Sequence, residues 1–336
     1  MSGPPDLIDR VVAISSELEL ERVPADVEEL AGIVVADSVA IASVGAREPE
    51  MVSLVQLLAQ QDLVGTGGAT ILGHTQARTN APTAAFLNGT SGTFSALDSV
   101  AAGTGHPAMH VVPAAVAAAE VGHASGQSLL EGVIIGYEVA ARLHQVFLIR
   151  PPAHPNGHLG AIGAAAAVAR ILNRDPVSCA RIAGTVPLLT IRRACYEGAT
   201  ARNVWFGLAA QSAVMAAFLD EAGFLGSSSA AGTAFGDIVG KWGDPQTALA
   251  SLDYQKLAVT RNLFKRHAAC YGVHLALDAV AEMDLPSPRA LRKITVEVPD
   301  LDNTKVNNGL PLHANMLAAQ FSLPYAVATA VATGST

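Results

Sequence analysis

Apolar residues recur at helical spacing from residue 7 to about residue 225, and this repeat dominates the chain. VPADVEELAGIVVADSVAIASVG opens on Pro24 and Asp26, first-turn signals, and closes near Gly45. In SGQSLLEGVIIGYEVAARLHQVF either Ser125 or Ser128 can cap, with Leu130, Val133, Ile134, Tyr137 and Ala141 on one face. Further helices are predicted at APTAAFL, MHVVPAAVAAAEVG, HLGAIGAAAAVARIL, PVSCARIAGTV and NVWFGLAAQSAVMAAFLDEAG. GSSSAAGTAFGD, residues 226–237, reads as a loop, either a lid or a connector. After about residue 285 the period changes. RALRKITVEVPDL alternates Ile294, Val296 and Val298 and predicts a strand, the only convincing one; AQFSLPYAVATAVATG predicts a last helix. The expected fold is mainly α: a large all-helical domain over 1–262, then the start of a smaller α+β lid domain over 263–336. A single strand cannot make a sheet, so the lid is expected to be incomplete at its C-terminal end.

Composition sharpens this picture. Half of the 336 residues are hydrophobic but only 5% are aromatic, and alanine and glycine make up the excess. Small side chains let helix backbones approach closely. Mean hydropathy is +0.35, yet no apolar run reaches the roughly 18–20 residues that span a bilayer. VWFGLAAQSAVMAAFL, the longest candidate, meets Asp220 and Glu221 at once and reads as a buried helix. The start, MSGPPDLIDR, lacks the basic and apolar regions of a secretory signal. Cys179, Cys195 and Cys270 are odd in number and widely spaced, which points to a reducing cytoplasm rather than a disulfide framework. A net charge of −8 disfavours nucleic acid as a partner. Many apolar and few charged residues suit an oligomer that hides part of its surface.

Against 15% charged residues, NLFKRHAACYGVHLALDAV stands out, because no lysine precedes Lys241 and this stretch gathers Lys265, Arg266, His267, Cys270 and His274. Read as a helix, it puts His267, Cys270 and His274 on one side. His267 and His274 would then be about 10.5 Å apart along the axis, too far to share one metal ion. The stretch is either a cationic pocket wall or a solvated helix start with a core cysteine. His106-Pro107 and His154-Pro155 each precede an alanine-rich segment, where proline near the first helical position leaves the histidine at an anion-favouring helix start. Such a histidine can bind a carboxylate or move a proton, or the pair can simply start a helix. Asp98, in FLNGTSGTFSALDS, is a cap or a site residue. Arg202, in GATARNVWFGLAA, is a carboxylate clamp or a surface arginine.

Several segments, in order, resemble the MmgE/PrpD family: ILGHTQARTNAPTAAFLNGTSGTFSALD, GHPAMHVVPAAVAAAEVGHASGQSLLEGVIIGYEVAARL, AHPNGHLGAIGAAAAVARIL, FKRHAACYGVHLALDA and AQFSLPYAVATAV. That family includes 2-methylcitrate dehydratase, cis-aconitate decarboxylase and iminodisuccinate epimerase. The resemblance covers most of residues 7–332. It implies a homodimer, an active site in the cleft between a helical domain and a lid, and metal-free, cofactor-free chemistry on small di- and tricarboxylates. By position, the family's functional basic residues fall on His106, His154, Lys265 and His274. Asp98, Arg202, His267 and Cys270 complete the expected substrate-binding wall.

The chemistry so implied places negative charge on a carbon beside a carboxylate, and cations and hydrogen-bond donors must hold that charge in a dry cleft. Lys265 and Arg202 would clamp; His106, His154 and His274 would carry or donate protons. The sequence also departs from the family. An acidic D-x-D-D cluster is reduced to Ala96, Asp98 and Ser99, and a nearby threonine is Val100. A lysine becomes Arg202, and KxYPxC becomes Lys265-Arg266-His267-Ala268-Ala269-Cys270. Arginine cannot serve as a base, so these departures point to altered chemistry. The expected function is a cofactor-independent lyase of dehydratase or decarboxylase type. The alternatives are an epimerase of the same family, or a truncated, non-catalytic dimeric binding protein.

Overall fold

Small residues decide where the helices cross. The computed structural model describes residues 6–74, 77–298, 306, 309–310 and 314–335. Helices α6 (Gly126–Val146) and α7 (Leu159–Ile171) meet at Gly136 and Gly163, where a Cβ built on Gly163 would lie 2.4 Å from the Gly136 carbonyl oxygen. Every residue of α7 except Arg170 is buried. The alanine-rich repeat therefore codes for a central helix contacted on all sides rather than an amphipathic one.

Around α7 pack α1 (Leu7–Ser16), α5 (Pro107–Val121), α8 (Pro176–Thr185) and α10 (Val204–Glu221). Helices α2 (Ala25–Gly45), α3 (Pro49–Ala59) and α4 (Ala81–Ser91) flank this group, and a short α9 spans Arg193–Tyr196. The fold is mainly α, as expected. Of the two serines weighed as caps for α6, Ser125 accepts from the Ser128 amide at 3.1 Å. Within α6, Glu138 and Arg142 form a buried ion pair at 2.7 Å. Their outer atoms bond Ala258 N and the carbonyls of Ala248 and Ala250, which ties residues 248–258 to the bundle.

Strands occur only as short antiparallel pairs among the described residues: β1 (Ala69–Thr70) with β2 (Arg78–Thr79), β3 (Val100–Ala101) with β6 (Asn262–Leu263), and β4 (Phe147–Ile149) with β5 (Gly240–Trp242). The strand expected at Ile294, Val296 and Val298 is not formed: residues 291–298 have no ladder partner, and residues 299–301 of that stretch lie outside the described set. The alternating side chains instead line an apolar cavity of about 510 Å³ with residues of α13 (His274–Glu282) and α15 (Leu323–Thr333).

The Gly/Ser-rich segment is a connector. After residues 226–229 it turns into α11 (Ala230–Gly232) and a wide helical turn over Thr233–Ile238, and the short α12 (Pro245–Ala248) follows β5. The expected last helix is two, α14 (Met316–Gln320) and α15, because Ser322 caps a new start by accepting from Tyr325 N. Helix α10 is mostly buried, as expected, with one exposed stripe in which Leu208, Met215 and Phe218 are 37%, 38% and 40% exposed. Among the described residues no single helix is long and apolar enough to cross a membrane.

A second, smaller core gathers Ala269, Val273, Leu277, Val306, Leu323, Val327 and Ala330. Gln320 Nε2 donates to Phe94 O at 3.3 Å and Asn315 Nδ2 to Gly198 O at 2.7 Å, so this C-terminal layer sits against the loops at one end of the bundle.

Candidate active site

Strand pairing assembles the site. In the β3–β6 ladder Val100 lies opposite Leu263. Continuing that register outward sets Asp98 against Lys265, residues far apart in the chain. The Tyr137 hydroxyl, deep in α6, donates to Asn262 Oδ1 at 2.7 Å and fixes β6 from below. Lys265 Nζ donates to the Ala96 carbonyl at 2.7 Å and stands 3.6 Å from Asp98 Oδ1. Ala96 presents that carbonyl from a left-handed conformation, φ 51°, which an alanine adopts only when its surroundings enforce it.

Asp98 is 1% exposed. Burial alone would raise its carboxyl, but Lys265, then His106, then Arg202 overcome it and hold the group well below the usual carboxylate range. The other Asp98 oxygen lies 2.6 Å from His106 Nδ1, which is also 3.0 Å from Ser99 O. Both neighbours accept, so Nδ1 carries the proton and Nε2 is left as the basic nitrogen. His106 is the N-cap of α5 with Pro107 at N1, as its sequence suggested.

His154 is placed differently from expectation. Helix α7 begins at Leu159 with His158 at its cap, because Gly157 takes φ 90° and breaks the approach; His154-Pro155 lies in the preceding loop. Buried polar groups stitch that loop together. Thr190 Oγ1 donates to His154 O at 2.9 Å or Asn156 O at 2.8 Å, and Thr190 N donates to His158 Nε2. The Asn156 amide donates to His154 Nδ1 at 3.1 Å, which leaves Nε2 as the protonated nitrogen. Burial, then Arg192 and Arg202, push this imidazole well below its ordinary value. His154 is therefore a neutral donor.

These groups converge. Ala96, His106, His154, Arg202, Lys265 and Cys270 are among the residues lining a cavity of about 430 Å³. Arg202 is 5% exposed, bonds Asn203 Oδ1 at 2.8 Å, and lies over the rings of Phe206 and Phe321 at 5.7 and 5.2 Å. Its Nε has no partner, and no carboxylate pairs with it among the described residues. Burial pushes the Cys270 thiol up, so it remains a thiol.

His267 and His274 lie behind the cavity wall rather than among its lining residues. The helix expected to carry both starts only at His274, so the two rings sit 5.0 Å apart instead of two turns apart. The spacing argument against a shared metal therefore fails. The partners speak instead: His267 Nε2 meets Asp278 Oδ1 at 2.9 Å and His274 Nε2 faces Ala269 O at 3.3 Å. Among the described residues no three His, Cys, Asp or Glu side chains converge as a ligand set.

Sequence reasoning passed over His110, His144, His158, Thr190 and Arg192. His110 follows His106 by one helical turn, and that spacing was its only signal. Its Nδ1 donates to His106 O at 2.8 Å, Nε2 accepts from Gly157 N at 2.9 Å, and its ring stacks on Phe206 at 4.5 Å. His110 is pushed down to about 3 by burial, and His144 and His158 to about 4 by the same cause.

Among curated proteins none matches the chain. Residues 10–245 match the family model described as the MmgE/PrpD N-terminal domain. With that match over well more than half of its length, the chain belongs to the MmgE/PrpD family.

Proposed function

We propose that the protein is a cofactor-independent lyase, of dehydratase or decarboxylase type, that removes a proton next to a carboxylate of a small di- or tricarboxylate. The observation that carries this reading is His106, on a cavity wall shared with Lys265 and Arg202, with the buried Asp98 carboxylate 2.6 Å from its Nδ1. His106 Nε2 takes the proton. Asp98 holds the ring in the required tautomer and steadies the imidazolium that forms. Negative charge then grows on the carboxylate oxygens beside the new carbanion, where Lys265 and Arg202 supply fixed positive charge in a water-poor pocket. His154, neutral with its proton on Nε2, acts there as a hydrogen-bond donor rather than as a base. Lys265, Cys270, Tyr271, Gly272 and Phe321 form the lid side of this cleft, with His267 and His274 supporting it. The family spans lyases and an epimerase. Dehydration and epimerisation begin with this proton removal, and the hydroxyl of a dehydration leaves as water with a proton returned by the imidazolium. Decarboxylation instead reaches the same carbanion by losing CO₂ and ends in its protonation.

A homodimer belongs to the same proposal, supported by the exposed apolar face of α10 at Leu208, Met215 and Phe218, and so does a cytoplasmic location, supported by the three unpaired cysteines. Citrate-like and succinate-like acids incubated in D₂O and followed by NMR test the chemistry. Deuterium should enter next to a carboxylate, with double-bond formation or CO₂ loss marking a lyase. His106→Ala should retain folding and lose turnover by about 10²–10³ or more. Lys265→Ala should lose turnover likewise and some stability with it, because Asp98 is left unmatched. No response to any acid, or unchanged turnover in both variants, overturns the reading in favour of a binding protein.

A further inference from the structure

We infer that Arg192 grips a second carboxylate of the substrate, so that the cavity selects acids charged at two positions; this rests on the carboxylate chemistry proposed above. Segments 152–154 and 190–192 run antiparallel. Ala153 bridges Ile191, Arg192 N donates to Pro152 O at 3.0 Å, and His154 N donates to Thr190 O at 2.8 Å. This pairing delivers Arg192 to the cavity wall beside His154.

The two neighbouring arginines have opposite fates. Arg193 is 79% exposed and pairs with Glu197 at 2.5 Å. Arg192 is partly buried and pairs with no carboxylate among the described residues; the neutral Tyr196 hydroxyl beside it is the polar side chain it meets. The charges around the cavity are then unbalanced. Lys265, Arg192 and Arg202 are three cations, and among the described residues Asp98 is the one carboxylate that reaches them. Asp98 and the Ala96 carbonyl engage Lys265; the two arginines meet only neutral groups, Asn203 and Tyr196, and no carboxylate among the described residues. Counting these four groups alone, a dianion restores balance, and buried charge that is not paired is costly. An arginine fork also matches a carboxylate with two parallel hydrogen bonds. A monocarboxylate would satisfy one arginine and leave the other unmet.

Calorimetric titration with succinate, tricarballylate and butyrate tests the assignment on the full chain. The wild type should bind succinate and tricarballylate more tightly than butyrate. Arg192→Gln should weaken both polyacids about 10–100-fold, the worth of a lost charge-assisted hydrogen bond, and leave butyrate within about twofold. Arg192→Lys should recover part of the loss. If the preference for succinate over butyrate survives in Arg192→Gln, or all three ligands weaken equally, the role of Arg192 is overturned while the site reading stands. If none of the acids binds the wild type, the site reading fails and this assignment goes with it.

Discussion

Acid should unfold this protein sharply, and the reason lies in four imidazoles held neutral. His110, His144, His154 and His158 are each pushed down by burial, to about 3 for His110 and about 4 for His144 and His158. In the unfolded chain each takes up a proton near pH 6.5. Between those limits the unfolded state binds more protons, so stability falls as pH falls. From pH 7 to pH 5 His110, His144 and His158 each contribute a loss of about 1.9 kcal/mol, roughly 6 kcal/mol for the three, and His154 adds to it in the same direction. Asp37 acts the other way. Burial, then Asp98, raises its carboxyl to about 6, so the folded state gains a proton there first. Half-buried and partly screened, it offsets at most about 1 kcal/mol. A net loss of at least about 5 kcal/mol is comparable with the whole stability of an ordinary domain. Urea unfolding followed by far-ultraviolet circular dichroism between pH 7 and 5 measures it. His144→Gln should flatten the slope by about one proton. A total loss below about 2 kcal/mol, one histidine's worth, would refute the claim that these rings are held neutral.

Tyr137→Phe removes the donor to Asn262, leaves a buried amide oxygen unmet and should cost about 1–3 kcal/mol. Because β6 carries Lys265 into place, turnover of that variant should fall along with its melting temperature. Gly163→Ala puts a methyl 2.4 Å from the Gly136 carbonyl oxygen, forces α6 and α7 apart, and should cost about 1–3 kcal/mol as an overpacked core. A melting temperature within a degree of wild type would contradict that.

The helices were legible because each has its own cues. Ser125 capping α6, Pro107 opening α5 and the alanine run of α7 act locally, and the structure realises them at nearly the expected residues. Segment 262–274 was not legible. Its i, i+3, i+7 spacing looks helical, but Cys270 N bonds Gln320 O, the chain crosses the cleft as a loop, and α13 starts at His274. Alternation at Ile294, Val296 and Val298 likewise mimics a strand while serving a helix-lined cavity. Lys265 and Cys270 drew notice because charge is scarce in this chain, and the family resemblance joined His106, His154 and Arg202 to them. Arg192 was not. Beside Arg193 its surroundings depend on the 152–154 pairing, which no local spacing encodes.

The β3–β6 ladder has a consequence for how the molecule comes together. The stretch from 10 to 245 contains Asp98 but not the ammonium that answers it. Until the polypeptide is synthesised past Lys265, that aspartate faces a poor choice between staying wet and taking up a proton, since an unmatched ion in a dry interior costs several kcal/mol. The hollow that receives the acid therefore closes only when early and late portions of the chain meet. Completion of the molecule and its competence for ligand become a single event.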